Sequence, residues 1–222
     1  MDRGAHSVEV LVTLLALKCA LPDAFFMSRG NHESETVNRV HGFYEEVVRK
    51  YDARMYTMFG KVLNSLPLAY IVAGRYFVLH GGLCDKSDLR IEDIQRIDRH
   101  CVPETGSMMA QLLWSDPGSE PGLHPSHRGE GVLFGPDVTA AFLERNGLKA
   151  IVRSHVWEAD GYKVDHGGQC VTIFSAPNYT GAPSPAAYIN IGADLELRFV
   201  QFEAAAYQGK QPKRRPTIPL TY

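Results

Sequence analysis

The chain has 222 residues and a formal net charge of −2, and 45% of its residues are hydrophobic. This composition is typical of a soluble globular protein with room for one substantial domain and a full core. The near-neutral charge argues against a nucleic-acid partner, and no apolar run approaches the length of a membrane span. The four cysteines form no CxxC pair, which predicts reduced and mostly buried thiols in a cytosolic or nuclear protein.

The first elements predict half of a βαβ unit. Apolar spacing over residues 7–20 predicts a helix, and the apolar run 24–28 predicts a short buried strand. The first strand of such a unit is expected before residue 1. A turn at Arg29-Gly30 then leads directly into Asn31, His32 and Glu33. Ligands bind at the carboxyl ends of strands in open α/β sheets, although a simple helix cap at this turn is the alternative.

The rest of the chain alternates between helical and strand patterns. Further helices are predicted at residues 34–51, 55–66, 91–97 and 135–147. Residues 149–153 predict a strand, and three hairpins are predicted at 68–80, 162–175 and 187–202. A turn is predicted at 112–117, a surface loop at 117–127, and an extended basic tail from residue 209.

Several predicted strands end in residues that suit metal or phosphate chemistry. His80, Ser154-His155 and Asn178-Tyr179 each follow an apolar run. A lone histidine on a strand is more often structural, but several, each followed by a turn, indicate a shared site. Nitrogen with hard oxygen ligands suits Mn, Fe or Zn. Arg3 and Arg128 add planar cations that suit phosphate oxygens.

Six motifs together resemble one family. They are Asp2-Arg3-Gly4, Arg29-Gly30-Asn31-His32-Glu33, His80-Gly81-Gly82, Leu113-Trp114-Ser115-Asp116-Pro117, Arg153-Ser154-His155 and Ser175-Ala176-Pro177-Asn178-Tyr179. In this order and spacing the chain resembles the catalytic domain of PPP-type serine/threonine protein phosphatases, within the calcineurin-like metallophosphoesterases, and is most similar to the type 5 group.

The resemblance implies an α/β fold of the calcineurin-like metallophosphoesterase type, with a central β-sandwich flanked by helices. The catalytic domain would cover residues 1–203, and residues 204–222 would form a C-terminal tail. The implied activity is that of a protein serine/threonine phosphatase, in which a metal-activated water hydrolyses phosphoserine or phosphothreonine.

The resemblance also implies roles for individual residues. Asn31, His80 and His155 match the ligands of one metal ion of a binuclear pair. His32 matches the general acid, and Asp2 matches the carboxylate that orients it. Three further residues match the phosphate-binding groups: Arg3, Arg128 and Tyr179. The remaining histidines, including His41, are expected to be ordinary surface or structural residues, and Ser115-Asp116 to fix a turn.

The chain departs from the family pattern at its start. A Gly-Asp-x-His-Gly motif and the Gly-Asp that opens Gly-Asp-x-Val-Asp-Arg-Gly are not present before Asp2-Arg3-Gly4. The domain is therefore expected to be N-terminally incomplete and to lack its first strand or strands, as in a truncated gene model. Two ions, Mn with Fe or Zn as alternatives, occupy the complete family site; at most one is expected here.

Two other functions stay open on the sequence alone. Loss of upstream metal ligands would suit an inactive pseudophosphatase that binds partners, and the superfamily also contains metallophosphoesterases with non-protein substrates. The expected partners are phosphoprotein substrates and regulatory proteins, without nucleic acid or a membrane. The expected location is the cytoplasm, the nucleus or both.

Overall fold

A computed structural model describes residues 1–205 of the chain. The predicted basic tail from residue 209 lies outside these described residues. Seven α-helices are found in this part: α1 (Ser7–Ala20), α2 (Glu35–His41), α3 (Phe43–Lys50), α4 (Ala53–Ser65), α5 (Ile91–Gln95), α6 (Met108–Trp114) and α7 (Pro136–Asn146). None of the helices in residues 1–205 has the length and apolar character that crossing a bilayer requires.

The central sheet is mixed and has five strands. In spatial order they are β1 (Ala69–Val72), β2 (Tyr76–Leu79), β6 (Ala150–Arg153), β8 (Cys170–Ile173) and β7 (Tyr162–Asp165). Strands β2, β6 and β8 run parallel, while β1 and β7 are antiparallel to their neighbours. The parallel pairing of β2 with β6 matters most for function, because it sets the ends of both strands at one edge of the sheet.

Two smaller sheets flank the central one. Strands β9 (Ala186–Ile191) and β10 (Leu197–Phe202) form an antiparallel pair. The short strands β3 (Asp116–Pro117), β5 (Val132–Phe134) and β4 (Leu123–Pro125) form a three-stranded sheet in that order. β3 and β5 are parallel neighbours, with Asp116 opposite Leu133, so the backbone of Asp116 is fixed by a strand ladder.

Apolar side chains pack into two clusters. One joins the central sheet to α6 and α7 and includes Phe77, Leu112, Leu113, Phe142 and Ile151. The other joins α1, α3 and α4 and includes Val8, Leu11, Phe43, Phe59 and Leu63. The predicted hairpins and the predicted strand at 149–153 are confirmed, as are α1 and α7. Gly147 ends α7 with φ 64°, a left-handed conformation that glycine adopts without strain.

The predicted buried strand at residues 24–28 is wrong. These residues belong to no strand, and Phe26 is 57% exposed. The segment is held instead by Tyr70, whose hydroxyl donates to the Met27 carbonyl at 3.0 Å, and by the Arg29 amide, which donates to the Pro67 carbonyl at 2.8 Å. An apolar run forms a strand only where another strand offers its backbone, and no described segment does so here.

Three further predictions need correction. The predicted helix 34–51 is two helices, because Gly42 adopts φ 112° between α2 and α3. The predicted turn at 112–117 contains the end of α6 followed by β3, and the predicted loop at 117–127 contains β4. Cys84 and Cys170 are buried as predicted, but Cys19 and Cys101 are exposed.

Candidate active site

Three predicted metal ligands converge at the carboxyl ends of β2 and β6. His80 follows β2 directly, and His155 lies two residues after β6. The His80 Nε2 atom is 2.8 Å from Asn31 Oδ1 and 3.0 Å from His155 Nδ1. Asn31 reaches this point from the turn after residues 24–28. Residues that are 49 and 75 positions away from His80 in the chain therefore share one small space.

Both imidazoles are held in their neutral form. Burial lowers the pKa of His80 to about 3, helped by the positive charge of Arg153. Burial also lowers the pKa of His155 well below its usual value, and the neighbouring His80 adds to this effect. A neutral imidazole offers a nitrogen lone pair to a metal ion. The site therefore presents two imidazoles and one amide oxygen as potential ligands.

The residues present fit one divalent ion. Within residues 1–205, the His155 Nε2 atom is buried and has no hydrogen-bond partner. The other ring nitrogen of His155, Nδ1, is the one that faces His80, and it lies close enough to His80 Nε2 and Asn31 Oδ1 for the three atoms to coordinate one cation together. Imidazole and amide donors suit Mn, Fe or Zn. No group of three or more His, Cys, Asp or Glu side chains that could hold a metal lies in that same range.

A buried carboxylate contacts the predicted general acid. The Nδ1 atom of His32 donates to Asp2 Oδ2 at 2.6 Å, which leaves Nε2 of His32 for a substrate. The Asp2 side chain is 0% exposed and that of His32 is 19% exposed. The other oxygen of Asp2 accepts from the Phe43 amide at 2.9 Å. Asp2 therefore fixes both the tautomer and the direction of the His32 ring.

A second network supports the His32 backbone. Asn38 on α2 donates from Nδ2 to the His32 carbonyl at 3.1 Å, and Tyr56 on α4 donates to Asn38 Oδ1 at 2.6 Å. Burial raises the pKa of Tyr56 to about 12, so its hydroxyl stays a donor at ordinary pH. At the preceding turn, the Gly30 amide donates to Glu33 Oε2 at 2.8 Å, which agrees with Glu33 supporting the loop.

The predicted phosphate-binding residues differ in their placement. Arg128 and Asn31 line the same surface pocket, of about 230 Å³. Arg3 is exposed, next to Asp2 in the chain. Tyr179 packs edge-on against Phe174, with ring centroids 5.0 Å apart, and no described contact joins it to the other candidates. The structure thus brings Arg128 to the site and leaves Tyr179 without a contact there.

Sequence reasoning missed two residues at this site, His41 and Asp116. His41 contacts the His32 ring edge-on, with centroids 4.9 Å apart, and burial and the His32 and Arg3 charges lower its pKa. Asp116 accepts from Arg128 Nε at 2.5 Å and from Arg153 Nη2 at 2.8 Å. A signal for Asp116 was available, since its motif was recognised; nothing in the sequence set His41 apart from the other histidines.

Comparison with known proteins gives one consistent family. Residues 1–158 match the sequence profile described as calcineurin-like phosphoesterase. Serine/threonine-protein phosphatase T of Aspergillus oryzae is 44% identical over 96% of this chain and 45% of its own length. Serine/threonine-protein phosphatase 5 of Homo sapiens is 46% identical over 96% of this chain and 43% of its own length. The chain thus spans less than half the length of these curated relatives.

A solved structure agrees in fold. It is a protein serine/threonine phosphatase from Saccharomyces cerevisiae with similarity to human phosphatase PP5. It superposes with a TM-score of 0.89 at 36% sequence identity, over 96% of this chain and 70% of that one. The predicted fold and family resemblance are therefore confirmed. The chain belongs to the calcineurin-like phosphoesterase family, within its serine/threonine protein phosphatase group.

Proposed function

We propose that this chain is the catalytic part of a protein serine/threonine phosphatase that hydrolyses phosphoserine and phosphothreonine with the help of a divalent metal ion. One observation carries the proposal: the three converging donors and the buried Asp2–His32 pair are joined at one turn, because the donor Asn31 directly precedes His32 in the chain. The named relatives, which are serine/threonine phosphatases, support the same activity.

Asn31, His80 and His155 would hold one ion, for which Mn is proposed on the chemistry of the donors. A divalent ion bound there would lower the pKa of a coordinated water and would place positive charge next to the phosphoryl oxygens. The donors themselves are already placed by β2, β6 and the turn at Gly30, so binding an ion requires no rearrangement of these elements. Neutral imidazoles at pH 7 are ready to bind without first losing a proton.

His32 is assigned to proton transfer. A serine or threonine alkoxide is a poor leaving group, so it needs a proton as the phosphorus–oxygen bond breaks. With Nδ1 bonded to Asp2, His32 can give the proton on Nε2 to that oxygen. Asp2 stabilises the positive imidazolium and keeps the ring from turning, and its own position is fixed by the Phe43 amide.

The arginines are assigned to the phosphoryl group. Arg128 lines the pocket with Asn31 and offers a guanidinium to the oxygens over which negative charge spreads. Arg3 is proposed to add a second guanidinium, and Tyr179 a contact at the pocket, on the family resemblance alone. Phosphoproteins are the proposed substrates, regulatory proteins the proposed partners, and the cytoplasm or nucleus the proposed location.

The test is phosphate release from a phosphoserine peptide by the purified chain with Mn²⁺ present. We expect release that falls by about 100-fold or more in His32→Asn, as is typical for loss of a general acid. The exposed His124, changed to Asn, is the matched control and should leave the rate unchanged. A wild-type chain that binds Mn²⁺ but releases no phosphate would contradict the proposed activity.

A second function, an inactive phosphoprotein-binding relative, is favoured by one observation. The donor set of Asn31, His80 and His155 contains no carboxylate, and no larger metal cluster exists within residues 1–205. Such a protein would bind a phosphopeptide without cleaving it. Unchanged phosphopeptide, recovered after binding to the Mn²⁺-loaded chain, is the result that would select this function.

A further inference from the structure

Asp116 lies between two arginines and gives one oxygen to each. Its Oδ1 accepts from Arg153 Nη2 at 2.8 Å, and its Oδ2 accepts from Arg128 Nε at 2.5 Å. The carboxylate is mostly buried, with a 13% exposed side chain. Its backbone is fixed by the ladder between β3 and β5, in which Asp116 pairs with Leu133. Asp116 is therefore a rigid link rather than a flexible surface acid.

Arg153 fixes this carboxylate to the elements that carry the metal donors. Its side chain is completely buried and donates from Nε to the Gly81 carbonyl at 2.6 Å, next to His80. It also donates from Nη2 to the Ser115 carbonyl at 3.2 Å. Arg153 precedes His155 by two residues at the end of β6. The position of Asp116 is thus set relative to both imidazoles.

Arg128, in contrast, lies on a loop outside the helices and strands. Its loop contains Gly129 and Gly131, both at positive φ, and it lies between β4 and β5. An arginine side chain on such a loop would lose much rotamer freedom on binding phosphate. The hydrogen bond from Nε to Asp116 already restricts the Arg128 rotamers, so less conformational entropy is lost when phosphate binds. In the described chain, the two terminal nitrogens of Arg128 have no hydrogen-bond partner and stay available for an anion.

We propose that Asp116 is a positioning residue. It anchors Arg128 through Nε, so that the terminal nitrogens of Arg128 can donate hydrogen bonds to two oxygens of a phosphoryl group. The inference rests on the proposed function, which assigns phosphate binding to Arg128. It extends that function by linking the phosphate-binding arginine to the metal donors through the series Arg128, Asp116, Arg153 and Gly81. The catalytic groups are unchanged; Asp116 acts only through Arg128.

Charge alone predicts the opposite effect, which makes the proposal testable. Two guanidiniums share one carboxylate, so the group carries a net positive charge. Removing the negative charge in Asp116→Asn would strengthen anion binding if only Coulomb attraction mattered. Anchoring predicts weaker binding, because Arg128 loses a charge-assisted hydrogen bond and must be ordered by the ligand itself. The sign of the change therefore separates the two explanations.

The first measurement follows arginine Nε–H signals by NMR in the nitrogen-15-labelled chain, with Arg128→Lys to assign Arg128. In the wild type we expect the Arg128 Nε–H to exchange with water about tenfold more slowly than that of Arg96, because the former is bonded to a carboxylate; the Arg96 side chain is 79% exposed. In Asp116→Asn this protection should disappear. Equal exchange rates in the wild type would overturn the proposal, even if the variant failed to fold.

The matched control is Asp194→Asn, which removes a carboxylate on the turn between β9 and β10 that accepts from the two terminal nitrogens of Arg198. It should leave the exchange of the Arg128 Nε–H unchanged, because Asp194 makes no contact with Arg128 in the described part of the chain. Unchanged Arg128 exchange in a folded Asp116→Asn would overturn the inference while leaving the proposed phosphatase function untouched.

The second measurement titrates inorganic phosphate into the same samples. We expect phosphate to shift the Arg128 signal in the wild type and to bind about three- to tenfold more weakly in Asp116→Asn. Tighter binding in the variant would show a charge effect alone and overturn the positioning role. An Arg128 signal that does not respond in the wild type would overturn both the phosphate-binding role of Arg128 and the inference built on it.

Discussion

Single residues at this site have their chemical states set by immediate neighbours. His80 and His155 are neutral because they are buried beside Arg153, which penalises any further positive charge. Asp2 is buried but keeps two hydrogen-bond donors, the His32 ring and the Phe43 amide. The same small region thus holds neutral nitrogen donors and a carboxylate-bound imidazole, which are the two kinds of group that the proposed reaction needs.

Gly30 lies where any larger side chain would meet the His80 ring. A Cβ atom at this position would lie 2.6 Å from Glu33 Oε2 and 2.9 Å from His80 Nδ1. We expect Gly30→Ala to displace the His80 ring, to weaken Mn²⁺ binding and to cost about 1–3 kcal/mol of stability through overpacking. Calorimetric Mn²⁺ titration and urea unfolding measure the two effects.

Gly60→Ala is the control for that prediction, since a Cβ at Gly60 meets nothing within 4 Å. It should leave Mn²⁺ affinity unchanged. If Gly30→Ala also bound Mn²⁺ as tightly as the wild type, the close approach of Gly30 and His80 would have no functional meaning.

Most of the candidate site could be predicted because its residues lie in short, recognisable motifs. Asn31, His32, His80 and His155 each stand at a turn after an apolar run. The structure brings Asn31, His80 and His155 together and places His32 against Asp2; their roles stay predictions. His41 and Asp116 could not be assigned in the same way. Their roles depend on side-chain contacts with His32, Arg128 and Arg153, which only the folded structure shows.

At the scale of elements, two buried polar contacts hold the helices that frame the site. Glu46 on α3 accepts from the Val8 amide in the first turn of α1 at 2.9 Å, while the residue before α1 makes no side-chain cap. Tyr56 joins α4 to α2 through Asn38. Both contacts fix the positions of helices that surround Asp2 and His32, and so they help to keep these two side chains in place.

Glu46 acts as a helix cap supplied from another helix. We expect Glu46→Ala to cost about 1–3 kcal/mol in the free energy of unfolding, because the buried Val8 amide loses its acceptor, while Lys50 keeps Glu9 as an acceptor. Glu196→Ala, which breaks an exposed pair with Lys149, should cost about 0–1 kcal/mol. Urea unfolding of both variants gives the comparison; equal costs would show that Glu46 does not cap α1.

We expect ionisation of the buried Tyr56 hydroxyl to destabilise the fold at alkaline pH. Its pKa is raised by burial from 10.0 to about 12, so between these values the folded state retains a proton that the unfolded state has lost. Stability from this group is therefore complete below pH 10 and is lost as pH rises toward about 12. The wild type should lose up to about 1.4 kcal/mol per pH unit relative to Tyr56→Phe in this range. Parallel unfolding profiles for the two proteins would contradict the burial of the hydroxyl.

The sequence predicts a helix or strand correctly where local residues set its ends. It predicts less well where formation of the element depends on contacts with other segments. Helix α7 has Pro136 at its start and Gly147 at its end, and the hairpins have glycine turns, so their bounds are local. The run at residues 24–28 is apolar enough for a strand but has no neighbouring strand among the described residues. The sequence pattern does not predict the break at Gly42, because the apolar spacing continues from α2 into α3.

At the scale of the whole molecule, the site is a product of sheet topology. The parallel pairing of β2 with β6 sets His80 and His155 at one edge, although 75 residues separate them. The turn carrying Asn31 and His32 joins this edge from the helical side, and Arg128 joins it from the three-stranded sheet. Three parts of the fold therefore contribute to one site. The strand-end residues alone predict a shared site, and the family resemblance adds which residues belong to it.

The central claim is that Asn31, His80 and His155 form the binding site of a divalent ion. The most direct measurement is calorimetric titration of the metal-free chain with Mn²⁺, alongside His155→Ala and the exposed-residue control His124→Ala. We predict one Mn²⁺ per chain for the wild type and for His124→Ala, and loss of that binding in His155→Ala. No Mn²⁺ binding by the wild type, or unchanged binding in His155→Ala, would contradict the account.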